Sequence, residues 1–145
     1  MIKELEQFFI AGRRVRFKKT GHFLLLEKKS SFSEDMVDWI QNNLKQNCFR
    51  YDKVNQILIY LSNLHIDVCC LMVNADILPS EDFNCLMSYL DRKRPEVVGI
   101  VYTNDQETAV KVIKDFPRIT TINNVENVCN LMKSLTEEIR DKVVA

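Results

Sequence analysis

Glu27 closes the apolar run His22–Leu26, Asp76 follows the apolar run Ile66–Val73, and Thr103 follows a third, Val97–Tyr102. Hard cations take oxygen ligands, so Glu27 and Asp76 are a candidate metal pair. The plainer assignment makes them loop residues at the carboxyl ends of strands, solvated or capping, and it is preferred. A second cluster is basic: Arg13, Arg14, Arg16, Lys18 and Lys19, with Lys28 and Lys29 not far along the chain. It could meet a phosphate backbone or an acidic partner. The preferred reading is the solvated side of an edge strand, where Lys and Arg discourage further pairing. Val15 and Phe17 should point inward, so no aromatic interleaving of the kind that stacks bases stands out.

The remaining reactive side chains point to no chemistry. His22 and His65 are far apart and have no Cys or Ser at triad-like spacing, so both are read as structural. The five cysteines (Cys48, Cys69, Cys70, Cys85 and Cys129) are odd in number and lack metal-ligand spacing. Cys69 and Cys70 are adjacent in an apolar run and would face opposite sides of a strand, which places them badly for a bridge. Reduced cysteine acting as a small hydrophobe is preferred. Trp39 beside Ile40 reads as core or interface packing.

These residues need elements to hold them, and 145 residues suffice for one domain with a hydrophobic core. Twenty acidic side chains against twenty basic ones give no net charge, which argues against whole-surface nucleic-acid binding. No apolar run has membrane-spanning length, and the N-terminus lacks a signal-peptide apolar core. The expectation is a cytoplasmic protein with no membrane association.

Residues 2–10 carry Leu5, Phe8 and Phe9 at helical spacing, with Ala11-Gly12 ending a short helix. Residues 13–19 alternate basic and apolar, which predicts a half-buried strand. From His22 onward, strand and helix alternate five times. Ser31 with Glu34 fits a capping box for a helix bearing Met36, Val37, Ile40 and Leu44. Cys48–Tyr51 is a short strand. Asp52 could cap a helix through Leu61 and Leu64, although Ile57–Leu61 could equally be a strand. Ile66–Val73 is a strand buried on both faces. Pro79 opens a helix with Phe83, Leu86, Met87 and Leu90 inward, and Arg92, Lys93 and Arg94 suit its C-terminal end. Asn104 or Asp105 caps a helix with Ala109, Val110, Val112 and Ile113. Ile119–Ile122 is the last strand, and Asn124 caps a long helix with Val128, Leu131, Leu135 and Ile139. Such alternation predicts an α/β/α sandwich around a five-stranded parallel sheet, of flavodoxin-like order 2-1-3-4-5. Residues 1–21 form an N-terminal extension to a domain over 22–145.

Specific segments then bring in a family. Phe23–Phe32 (FLLLEKKSSF) resembles the first strand and acidic turn of a response-regulator receiver (CheY-like) domain. Asn55–Asp67 resembles its second helix and the Asp that opens its third strand. Asp76-Ile77-Leu78-Pro79 resembles the loop after its phospho-acceptor, and Gly99–Thr103 (GIVYT) its fourth strand with the switch Thr. The resemblance covers residues 22–140. It implies a site of three acids around Mg²⁺, a Lys that neutralises phosphate oxygens, and a hydroxyl that bonds the phosphorylated state. Glu27 matches one acid and Thr103 the switch hydroxyl, a role that stands evenly against that of an ordinary strand-end residue. Lys28 falls where the second acid belongs. The acceptor position, four before Pro79, is Ala75, between Asn74 and Asp76. The family's Lys-Pro after the fifth strand is replaced by Asn123-Asn124.

Glu27, Lys28, Asp76, Thr103 and Asn123 are thus read as degenerate phospho-site positions. The expectation is a pseudo-receiver that is not an enzyme, is independent of phosphorylation and signals by protein–protein contact. Its partner would be another signalling protein or a second copy, with no cofactor. The alternatives are an active receiver in which Glu27 and Asp76 hold Mg²⁺, a STAS-like regulatory domain in which Ile57–Leu61 is a strand, and anion or nucleic-acid binding through the basic strand.

Overall fold

A computed structural model describes residues 5–10, 13–18 and 21–123 of the chain. β1 (Leu5–Ile10) and β2 (Arg13–Lys18) pair antiparallel as a separate two-stranded sheet, with Ile10 opposite Arg13 and Leu5 opposite Lys18. This corrects the helix expected over residues 2–10. Leu5, Phe8 and Phe9 do fit helical spacing, but β2 offers a full backbone ladder, and a Phe-Phe-Ile run suits a strand. The basic strand itself forms as expected.

The elements that follow are β3 (His22–Leu26), α1 (Ser31–Leu44), β4 (Cys48–Tyr51), α2 (Val54–Ser62), β5 (Val68–Asn74), a 3-10 turn (Ala75–Ile77), α3 (Ser80–Lys93), β6 (Val98–Thr103), α4 (Gln106–Asp115) and β7 (Thr120–Asn123). The five strands from β3 to β7 pair in parallel in the order β4-β3-β5-β6-β7. Counted from β3, this is the expected 2-1-3-4-5 order. The helix predicted from Asn124 onward lies outside the described residues, as does Cys129. No helix among the described residues is long and apolar enough to cross a membrane.

The alternation of side chains along each strand builds two core layers. Phe23 and Leu25 of β3 join Cys70 and Met72 of β5, with Met36 and Ile40 of α1 packed over them. Leu24 and Leu26 face the other way, toward Ile57 and Leu61 of α2, Leu86 and Leu90 of α3, and Val112 of α4. All seven β5 residues are buried, as its apolar sequence requires. Gly99 lets β6 lie close under its cover, since a Cβ there would stand 2.5 Å from Ile119 Cδ1.

Local signals place the helices, with two shifts from expectation. The capping box of α1 is Ser30 with Ser33, one residue earlier than Ser31 with Glu34. Ser33 can reach back to the Ser30 N–H because it is the third residue of the helix. α2 starts after Lys53 without a side-chain cap, so Asp52 does not cap it. Ile57–Leu61 is helical, and this removes the STAS-like alternative, which needs a strand there. The physical reason is that α2 buries one stripe (Val54, Ile57 and Leu61) and leaves Ile59 72% exposed, which is helix periodicity. α4 likewise buries Ala109 and Val112, whereas Val110 and Ile113 are exposed.

Two polar ties complete the frame. Arg94, at the end of α3, is buried. Its guanidinium donates to Leu61 O (2.8 Å), Asn63 O (3.4 Å), Ile66 O (2.9 Å) and the Glu96 carboxylate (2.6 Å). On the edge strand, Gln41 Nε2 donates to Cys48 O at 3.1 Å.

Candidate functional site

The strand order reverses direction beside β3, whose neighbours are β4 and β5. In open α/β sheets the crevice outside the carboxyl ends of the strands at such a point is the usual ligand site. Glu27 follows β3, Asn74 ends β5, Thr103 ends β6 and Asn123 ends β7, so the fold brings the sequence candidates to one edge. Asn123 pairs in register with Thr103.

Glu27 is only 6% exposed, which corrects the solvated reading. Its Oε2 accepts from Asn74 Nδ2 and from the Tyr102 hydroxyl, both at 2.8 Å. Its Oε1 accepts from the Lys28 backbone N–H at 2.8 Å. Three donors satisfy a carboxylate that burial would otherwise make costly. The Lys28 side chain is exposed. Arg50 donates to the Glu27 main-chain oxygen at 3.0 Å.

A second cluster adjoins the first through Asn74. Its Oδ1 accepts from the Asp76 backbone N–H at 2.9 Å, which fixes the 3-10 turn at Ala75–Ile77. The Asp76 carboxylate spans to the end of β6. Oδ1 accepts from the Thr103 hydroxyl, and Oδ2 accepts from the Asn104 N–H at 2.8 Å. Thr103 Oγ1 in turn accepts from the Asp105 N–H at 3.0 Å. The Thr108 hydroxyl donates to Asp105 Oδ2 at 2.6 Å, and that bond holds the Asp105 carboxyl below the usual carboxylate range. Ala75, at the position four before Pro79, is buried and offers no oxygen side chain.

Glu27 and Asp76 therefore belong to two different hydrogen-bonded clusters joined by Asn74. Among the described residues, no three His, Cys, Asp or Glu side chains come together as a metal site. Sequence reading missed Asn74 and Tyr102 as the partners of Glu27. The only signals were a polar residue ending the β5 run and a hydroxyl inside GIVYT.

The other candidates lie elsewhere. Arg13, Arg14, Arg16 and Lys18 are on β2, in the separate two-stranded sheet, and Lys19 lies outside the described residues. His22 hydrogen-bonds the Tyr60 hydroxyl through Nδ1 and packs edge-on against Phe49. His65 is exposed, and Trp39 packs against the α1-side core. Among the described cysteines, Cys48, Cys69 and Cys70 are buried and unbridged, and Cys85 is exposed. Burial pushes the Cys48 thiol up to about 12.

No protein-family model and no curated protein matches the chain. Solved structures do. The signal receiver domain of an HD domain-containing protein from Pseudomonas fluorescens Pf-5 superposes with a TM-score of 0.59 at 16% identity, covering 85% of this chain and 98% of that one. A response regulator receiver protein from Burkholderia phymatum gives 0.58 at 11% identity, with 79% and 96% covered. A response regulator from Thermotoga maritima gives 0.55 at 14% identity, with 87% and 99% covered. Together with the strand order, these likenesses establish that the chain has the fold of a response-regulator receiver, CheY-like domain.

Proposed function

We propose that the chain is a signalling module that works without phosphorylation and without a bound metal, through contact with another signalling protein or a second copy of itself. The observation that carries this reading is that the carboxylate oxygens at the strand ends are already bonded to the protein. Glu27 accepts from Asn74, Tyr102 and Lys28, and Asp76 accepts from Thr103 and Asn104. An Mg²⁺ ion needs several oxygen ligands in near-octahedral array. Here it would have to displace neutral donors from Glu27 while meeting the cationic Lys28 where a second acid belongs. Phosphoryl transfer also needs an acceptor carboxylate, and position 75 is Ala. The residues present do not fit the metal.

A module of this kind acts by shape. α4 starts directly from the Asp76–Thr103 cluster and carries exposed Val110 and Ile113, a surface suited to a partner. Residues 1–21, with the basic strand β2, are an added arm on this unit. The test is incubation with acetyl phosphate, or with beryllofluoride, in the presence of Mg²⁺, read by intact mass and amide spectra. Unchanged mass and spectra are expected. A stoichiometric, Mg²⁺-dependent adduct on Asp76 would falsify the reading in favour of an active receiver.

A further inference from the structure

A cleft of about 290 Å³ lies between α3 and α4. Its floor is apolar. Phe83 and Phe116 meet edge to face with ring centroids 6.2 Å apart, and Leu78 and Val112 complete the lining. Its rim is polar: α4 contributes Lys111 and Asp115, and α3 contributes Asn84, all three exposed. Lys111 and Asp115 stand one helical turn apart, a spacing at which side chains can meet. Yet neither bonds the other or any other described residue, and the Asn84 amide is equally free. A further charge at the rim, Asp76, already has both carboxylate oxygens engaged by Thr103 and Asn104. The free groups bordering the cleft are thus one cation, one anion and one amide above an aromatic floor. Small-molecule sites combine such a floor with a few convergent polar groups, at volumes from about 300 Å³ upward. Solvation accounts for exposed charges on a helix, but not for a concave apolar floor left between them.

We propose that the α3–α4 cleft binds a small zwitterion with an apolar body, the chemistry of a free amino acid that has a large apolar side chain. The apolar body lies on Phe83 and Phe116. The carboxylate meets Lys111, with Asn84 as a second donor, and the ammonium meets Asp115. Charge decides the class. A simple carboxylate gains Lys111 but is repelled by Asp115 and Asp76, and a simple amine gains Asp115 but is repelled by Lys111. A ligand with both charges is matched at both. The site requires neither Mg²⁺ nor phosphorylation, so the inference goes beyond the function proposed above.

The test titrates the full chain, labelled with ¹⁵N, with L-phenylalanine, phenylacetate and phenethylamine, which share an aromatic body and differ in charge. Amide shifts of Asn84, Lys111 and Val112 report on the cleft. L-Phenylalanine should shift them saturably, and each singly charged probe should bind about fivefold more weakly, the weight of one exposed ion pair. Lys111→Ala should remove the advantage of L-phenylalanine over phenethylamine, and Asp115→Ala its advantage over phenylacetate. Asn84→Trp fills the cleft from an exposed position and should abolish binding of all three. The proposal is overturned if neither L-phenylalanine nor L-leucine shifts these amides saturably up to its solubility limit. Binding of phenylacetate or phenethylamine as tight as that of L-phenylalanine overturns it too, as do shifts that survive Asn84→Trp. The comparison of probes uses the parent chain, so it decides the matter even where a variant does not fold. The titration contains neither Mg²⁺ nor a phosphoryl donor. An adduct on Asp76 defeats the proposed function alone, whereas absent binding defeats this inference alone.

Discussion

Tyr102→Phe removes one oxygen atom from the interior and one of three donors from the Glu27 carboxylate. Tyr102 is 0% exposed, and its hydroxyl lies 2.8 Å from Glu27 Oε2, so water cannot readily take its place. Bonds to a charged partner contribute about 1.5–3 kcal/mol, and neutral ones about 0.5–1.5 kcal/mol. The substitution should therefore destabilise the domain by about 2 kcal/mol. In a Glu27→Gln background the acceptor is neutral, and the cost of the same change should fall to about 1 kcal/mol. The coupling energy of the double-mutant cycle is then about 1 kcal/mol. Urea unfolding measures it, provided the slope m stays constant across the four proteins. Tyr102→Phe within about 0.5 kcal/mol of the parent, or strict additivity, would refute the assigned bond. Repeating the titration with Mg²⁺ extends the test to function. A ligand that binds only the folded state raises its stability, so an Mg²⁺-dependent gain that disappears in Glu27→Gln would give Glu27 a metal role after all.

Two further outcomes follow from the buried groups. Arg94→Met keeps the aliphatic stem but strands the carbonyls of Leu61, Asn63 and Ile66, and should cost about 3–5 kcal/mol by urea unfolding; a loss under about 1 kcal/mol would contradict the tie. The Cys48 thiol, pushed up to about 12 by burial, should resist a maleimide at pH 8 while the exposed Cys85 reacts, as read by peptide mass. Its folded value lies above the unfolded one, so its contribution to stability is complete below about pH 8.5 and declines as pH rises toward 12. Rapid labelling of Cys48 in the native chain would contradict its burial.

The five-stranded sheet was legible in the sequence because its three inner strands β3, β5 and β6 are buried on both faces and read as apolar runs, Ile66–Val73 most clearly. The spacing of Val54, Ile57 and Leu61 could not decide between helix and strand alone; the structure does, because the stripe meets α3 across the same core layer. The N-terminal strand was missed for a related reason. Phe8 and Phe9 have a helical neighbour spacing, and only pairing with β2, which local pattern does not contain, makes them a strand. At the site, Glu27 and Thr103 were visible as polar residues ending apolar runs. Their partners were not, because Asn74 and Tyr102 reach Glu27 only through the order β3-β5-β6, from 47 and 75 residues away. The burial of Glu27 was hidden for the same reason: nothing local distinguishes a carboxylate with three donors from one in water.

The Gln41 contact on β4 bears on how the molecule behaves in a crowded solution. Asn47 O and Tyr51 O accept from β3, so by ladder alternation only Cys48 and Arg50 turn their backbone groups toward the open side. Of those two outward carbonyls, Cys48 O is already taken by Gln41. A foreign strand arriving at this margin meets four residues, a shielded acceptor and an arginine, too little to template growth. One glutamine side chain on a helix thus leaves this margin with fewer open backbone groups for a neighbour's strand to pair with, in a protein whose formal charge is zero.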